Sequence, residues 1–189
     1  MFTDEKRFCL DGCDAHTHYW RDLRKGERFF SKRQFGGGSV MVWAGISGLG
    51  KTELAFCPNK MDSQGYQKIL ADNLLPFLNR FPHIEFTLQQ DNAAVHASKS
   101  TKQWLESQNI RTLNWPARSP DLNCIENIWS ILVRDVYDDC RQFESIDQLK
   151  LALTAAWGNL TQERLAPFID SMPKRINQLI KREGKFTDY

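Results

Sequence analysis

Nine residues, Ser39–Ser47 (SVMVWAGIS), constrain the fold most. Gly36-Gly37-Gly38 and Gly48 bound them, and Val40, Val42 and Trp43 give them strand character. Lys51–Cys57 (KTELAFC) follows after a short glycine-containing turn, as a hairpin partner would. Phe2–Leu10 is a further apolar-rich segment that ends at the turn signal Asp11-Gly12. The first 57 residues therefore predict three antiparallel strands, with a long insertion between the first and second.

The remainder alternates and then turns helical. Tyr66, Ile69, Leu70, Leu74, Phe77 and Leu78 share one face of a predicted helix over 62–81, which Pro76 should kink or split. A short strand over 85–91 (EFTLQQD), an amphipathic helix over 98–108 and a strand over 111–115 (RTLNW) come next. Two strands joined through a helix predict a parallel pair with a right-handed crossover. Beyond Trp115, stripes at helical spacing begin at Ile125, Ile146 and Leu165, with Pro167 and Pro173 interrupting the last. The expected fold is α/β: a mixed five-stranded sheet flanked by helices, with extra helices at the C-terminus.

Composition narrows the class. The 189 residues suit one domain spanning 1–189, and 41% hydrophobic with 25% charged residues excludes a disordered chain. A net charge of +2 neither demands nor excludes a nucleic-acid partner. No apolar run approaches the roughly 20 residues of a membrane span, and no signal peptide is seen, so an intracellular protein is expected. Five cysteines without a CxxC pair fit a reduced protein. Cys9, Cys13, His16 and His18 are zinc-ligand types, but their spacing matches no common structural-zinc pattern, so no metal is expected there.

Three acids stand out by position: Asp4 in the first strand, Asp91 at the end of the fourth, and Glu126 at the start of the third helix. In this topology the first and fourth strands can be neighbours, and the later helix can pack across their ends, so the acids can converge. At about 100° per residue, Glu126 falls inside the apolar arc of its helix, between Val133 and Tyr137. A carboxylate there is costly unless paired, hydrogen-bonded or metal-bound. Asn123 as N-cap with Glu126 as a capping-box acid explains Glu126 alone, and leaves Asp4 and Asp91 unexplained.

The segments FTDEKRFCLDG (2–12), YWRDLRK (19–25), FGGGSVMVWAG (35–45), LQQDNAAVH (88–96) and NWPARSPDLNCIENIWSILVR (114–134) resemble the Tc-type branch of the mariner superfamily of DNA transposases. The 34 residues between Asp91 and Glu126, with glutamate as third acid, match that branch. The resemblance implies a ribonuclease-H-like catalytic core in which Asp4, Asp91 and Glu126 hold two divalent cations, Mg²⁺ or Mn²⁺. Such ions, about 4 Å apart, clamp an in-line displacement at phosphorus. It further implies a nuclear enzyme that cuts DNA phosphodiester bonds and joins 3′ ends to target DNA.

Supporting roles follow from the same match. Asn92 and His96 are expected either to order the site or to serve local turn and packing needs. The insertion over 11–38 interleaves aromatics with Arg21, Arg24, Lys25, Arg28, Lys32 and Arg33, which suits DNA or a second copy of the chain. Lys181 and Arg182 belong to a terminal segment with a local charge of +4 and are weaker DNA candidates. The family carries helix-turn-helix domains before its core, whereas this chain begins three residues before Asp4; recognition of specific transposon ends is not expected from it, and its first strand reads as shortened. Cys124 stands where the family usually has proline, a change expected to cost at most about 1 kcal/mol. The leading reading is a transposase catalytic domain, as a fragment or truncated copy. The alternatives are a non-enzymatic DNA-binding or dimerising derivative and a general metal-dependent nuclease.

Overall fold

The computed structural model describes residues 1–12 and 38–189. Strand β1 (Phe2–Cys9) pairs antiparallel with β2 (Ser39–Ser47) along its whole length, from Phe2 opposite Ile46 to Cys9 opposite Ser39. The far side of β2 takes two short strands, β3 (Gly50–Lys51) and β4 (Ala55–Cys57), both antiparallel. The expected single strand over 51–57 is thus interrupted. The cause is local: Gly45 N–H donates to the Thr52 hydroxyl at 2.9 Å, so a side chain takes the place of a ladder carbonyl. Gly50 turns the chain at a φ of +138°, a conformation that glycine adopts without strain.

A second hydrogen-bonded pair consists of β5 (Thr87–Leu88) and β6 (Arg111–Thr112), which run parallel as the crossover argument requires. Both are much shorter than the segments 85–91 and 111–115. A parallel bridge between Phe2 and Gln89 joins this pair to β1. Across the molecule the order is therefore β3 and β4, then β2, β1, β5 and β6.

Alternation along β2 explains its nearly continuous apolar sequence. Val40, Val42, Ala44 and Ile46 face one core, shared with α5 (Ile125–Val136), α6 (Ile146–Gly158) and α7 (Gln162–Ile169). Trp43 faces the opposite core, with Tyr66, Ile69, Leu70, Leu74 and Leu105. A strand covered on both faces needs apolar residues at odd and even positions alike.

The helix over 62–81 is neither split nor ended by Pro76. Asp62 caps α1 (Ser63–Ile69) by accepting from Gly65 N–H at 2.8 Å. A π-helical turn over Leu70–Leu74 then leads into α2 (Leu75–Asn79), with Pro76 in its first turn. Leu75 N–H bonds the Leu70 carbonyl, so a widened register absorbs the proline. After β5 come α3 (Ala94–Ala97) and α4 (Lys99–Ser107), the latter capped by Ser98, whose hydroxyl accepts from Thr101 N–H at 3.1 Å. Pro167 lies inside α7, and Pro173 occupies the first turn of α8 (Met172–Lys181).

The entrance to α5 meets expectation only in part. A 3-10 turn over Pro120–Leu122 leads in, and Cys124 rather than Asn123 precedes the first helical residue. Asn123 N–H donates to the Pro120 carbonyl at 2.9 Å, so no capping box with Glu126 forms. The Asn123 side chain still caps the helix, its Oδ1 accepting from Ile125 N–H at 3.4 Å, and its amide donates to the Thr3 carbonyl at 3.2 Å, tying the helix entrance to β1. No helix among the described residues is long and apolar enough to cross a membrane.

Leu132 is fully buried in α5 against β1 and β2. Leu132→Ala is expected to cost about 2–5 kcal/mol in urea unfolding. A cost under about 0.5 kcal/mol, the range of surface substitutions, would contradict this packing.

Candidate active site

Asp4, Asp91 and Glu126 line one cavity of about 380 Å³. Each arrives on a different element: Asp4 from the middle of β1, Asp91 from the segment that leaves β5, and Glu126 from the first turn of α5. Among the described residues no three acidic, histidine or cysteine side chains already stand in a metal-holding cluster. The three acids share a cavity without forming a closed ligand shell.

Their environments differ. Asp4 is half-buried and accepts a hydrogen bond from Trp129 Nε1 at 2.9 Å. Burial, then the neighbouring Glu126 and Glu5 carboxylates, push its carboxyl up to about 7. Asp91 is exposed, yet its Oδ1 accepts from Ala93 N–H at 2.9 Å and lies 2.7 Å from His96 Nδ1. The His96 hydrogen bond outweighs burial and holds Asp91 below the usual carboxylate range. Both contacts use Oδ1, so Oδ2 has no hydrogen-bond partner among the described residues. The Glu126 carboxylate likewise takes no hydrogen bond from them.

His96 is buried and bridges two acids. Its Nε2 lies 3.2 Å from Glu5 Oε1, on the other side from Asp91. Burial works against its charged form, but the hydrogen bonds to Asp91 and Glu5 prevail and raise its pKa to about 9. The Tyr66 ring lies 4.1 Å from the imidazole centroid, and its hydroxyl donates to Gln90 Oε1 at 2.8 Å. Asn92 turns away from Asp91: its amide donates to the Trp115 carbonyl at 2.9 Å and so ties the β5 exit to the β6 exit.

Three contributors were not singled out in the sequence. Trp129 reads there as one member of an apolar stripe, since periodicity registers the ring and not its N–H. Glu5 lies 91 residues from His96, and nothing local links them. Arg118 also lines the cavity, from a left-handed turn at φ +58°. The insertion residues Arg21, Arg24, Lys25, Arg28, Lys32 and Arg33 lie outside the described residues, as do Cys13, His16 and His18. In the terminal segment Lys181 is exposed, while Arg182 pairs with Asp188 at 2.6 Å and Arg175 is buried. Burial pushes the Cys124 thiol up to about 12, so it is not a reactive group.

A mixed sheet that gathers acids from β1, the β5 exit and α5 defines the ribonuclease-H-like class of folds. Solved Mos1 transposase structures share it. A paired-end complex with the left transposon end superposes with a TM-score of 0.81 at 19% identity, covering 97% of this chain and 55% of that one. A Mos1 mariner paired-end complex with Mn gives a TM-score of 0.79 at 19% identity, over 98% of this chain and 56% of that one.

Residues 1–150 match the family described as DDE superfamily endonuclease, and the chain belongs to it, within the Tc-type branch of the mariner transposases. The transposable element Tc3 transposase of Caenorhabditis elegans is 42% identical over 189 residues, all of this chain and 57% of that protein. The Tcb2 transposase of Caenorhabditis briggsae is 33% identical over 196 residues, all of this chain and 70% of that protein. The chain thus spans little more than half the length of its Tc3 relative.

Two measurements follow on metal-free protein. Trp129→Phe keeps an aromatic ring but removes the donor to Asp4, so the Asp4 carboxyl should titrate above about 7; NMR titration showing no rise would refute the contact. His96 contributes stability that is complete below pH 6.5 and lost as pH rises through about 9, because its folded pKa is raised. Asp91, whose folded pKa is lowered, contributes above 3.8 and loses that contribution as pH falls. His96→Ala should therefore flatten the decline of stability between pH 6.5 and about 9. An unchanged pH slope in that variant would contradict the pairing.

Proposed function

We propose that this chain is the catalytic domain of a transposase, acting by metal-dependent DNA phosphodiester cleavage and strand transfer, with Asp4, Asp91 and Glu126 as its catalytic acids. The observation that supports this most is that three acids, distant in sequence, line one cavity in a chain of the DDE endonuclease family.

The donor set fits a hard divalent cation. All three side chains offer carboxylate oxygen, and two of them have oxygen atoms without hydrogen-bond partners. Asp4 and Glu126 repel one another in a partly dry setting, which raises the proton affinity of Asp4. A cation would favour ionised Asp4 where bulk water does so weakly. Closing a ligand shell from these three requires side-chain rotation, since they share a cavity without forming a cluster. In this reading Asp4, Asp91 and Glu126 hold two Mg²⁺ or Mn²⁺ ions, and the related Mos1 complex with Mn favours such a cofactor. When bound, the ions supply Lewis-acid activation at phosphorus.

The remaining residues have distinct tasks. Trp129 orients Asp4, and His96, itself anchored by Glu5, holds Asp91 ionised. Asn92 fixes the loop beside Asp91. Arg118 stands at the cavity with a charge suited to a phosphate. Transposon ends and target DNA in the nucleus are the proposed substrates, with the basic insertion over 11–38 as a further DNA contact or dimer interface. Lys181 has the exposure a phosphate contact needs, whereas Arg182 would first have to leave Asp188.

The test is cleavage and joining of duplex DNA, specific and random, by this chain in Mg²⁺ or Mn²⁺. Glu126→Gln should abolish metal-dependent cleavage and keep the circular dichroism of the parent. Unchanged cleavage in that variant removes the assignment. Firm DNA binding by the parent chain without any cleavage would favour a binding protein instead.

A further inference from the structure

The cation best placed to act on the site from a distance lies outside the family match over 1–150. Arg175, in α8, is 1% exposed. Its Nε donates to Ser171 Oγ at 2.8 Å, its Nη1 to the Asp121 main-chain carbonyl at 2.7 Å, and its Nη2 to Asn127 Oδ1 at 2.6 Å. The Tyr189 ring centroid lies 4.3 Å from the guanidinium carbon. None of these three acceptors is charged.

The two distant acceptors flank Glu126. Asp121 belongs to the 3-10 turn that leads into α5, and Asn127 directly follows Glu126 in its first turn. A planar guanidinium has donors at fixed spacing and direction, so binding both acceptors sets the incoming turn against the helix. The C-terminal segment reinforces this lock, since Thr187 N–H donates to Asp121 Oδ2 at 2.7 Å. On the far side, Asn123 ties the same entrance to β1 through the Thr3 carbonyl. Glu126 is therefore held between β1 and the C-terminal helix.

We propose that Arg175 is a positioning residue for Glu126, and that α8 with residues 187–189 sets the angle at which α5 presents that carboxylate to the cavity. The proposal rests on the reading above, in which Glu126 holds a divalent cation. It makes the terminal helix part of the machinery of the site, acting through α5 and touching neither metal nor DNA.

The test is Mn²⁺ affinity of the whole 189-residue chain, read from the electron paramagnetic resonance signal of free Mn²⁺. Thermal unfolding of the metal-free chain is followed in parallel. Glu126→Gln should lose Mn²⁺ binding at this site. Arg175→Met, which keeps much of the stem and loses the fork, should raise Kd by about tenfold or more, the size known for partners that orient metal ligands. Arg175→Lys, with charge but no fork, should fall between it and the parent. A purely structural Arg175 would lower the melting temperature and leave the Mn²⁺ affinity untouched, which would overturn the proposal. If Arg175→Met fails to fold, Asn127→Ala removes a single acceptor and takes its place; parental Mn²⁺ affinity there likewise overturns it. Parental Mn²⁺ affinity in Glu126→Gln would instead sink the metal reading of the site, and the positioning role with it.

Discussion

Thr3 is the point from which the site is built. Its N–H donates to the Gln89 carbonyl at 3.2 Å, its hydroxyl donates to the same oxygen at 2.6 Å, and its own carbonyl accepts from the Asn123 amide at 3.2 Å. One buried residue thereby joins β1 to the β5 exit and to the entrance of α5. Asp4 follows it directly, Asp91 stands two residues beyond Gln89, and Glu126 three beyond Asn123. Few bonds are involved, but they are buried and so poorly replaced by water. Gln89 N–H adds one more across the same seam, to the Met1 carbonyl at 2.8 Å. The seam joins the two separately paired sheets edge to edge, and with them the elements that carry the first two acids.

Bringing acids together has an electrostatic consequence that the fold handles unequally. Asp4 lies nearest to burial and to other carboxylates, and it answers by holding its proton to about pH 7. Asp91 is exposed and has a cationic partner in His96, and stays ionised. His96 is itself shared with Glu5, so its charge is fixed by two acids rather than one. A single carboxylate partner would have to offset the burial of the imidazole alone. The cavity is thus asymmetric before any cation enters: the Asp4 carboxyl is pushed up to about 7, whereas Asp91 is held below the usual carboxylate range. Such separation of proton affinities by environment is common at functional sites and supports the proposed role of Asp4 and Asp91.

The sequence revealed what repeats and hid what is tertiary. Ser39–Ser47 was legible because a strand covered on both faces must be apolar throughout, and its bounds were met in the structure. The parallel relation of β5 and β6 followed from the intervening helix, but their two-residue lengths did not, because pairing also depends on the neighbouring strand. The π turn before Pro76 was not legible: a helical stripe tolerates a proline or breaks there, and only packing decides which. Asn123 was legible as a cap, and its Oδ1 accepts from Ile125 N–H at 3.4 Å, but the second bond of its side chain, from the amide to the Thr3 carbonyl 120 residues away, was not. The burial of Arg175 was hidden for a related reason. Charge counting along a chain cannot tell a solvated guanidinium from one that has been folded under a helix.

That buried guanidinium also shows why the terminal helices are more than cover. An arginine removed from water and given only uncharged acceptors costs stability, and an apolar side chain of similar volume would fill the space more cheaply. What an apolar side chain lacks is direction. Packing alone lets a helix end slide or tilt by small amounts, whereas a rigid fork bonded to a turn and to the first turn of the following helix holds their relative angle. Glu126 lies between those two anchor points, and its carboxylate has no hydrogen bond from the described residues to orient it. Its orientation must therefore come from the backbone that bears it. Asn123 fixes that backbone against β1, and Arg175 fixes it against α8. The acid whose carboxylate takes no hydrogen bond from the described residues is in this way supported by a stretch of chain tied on both sides, to β1 and to α8.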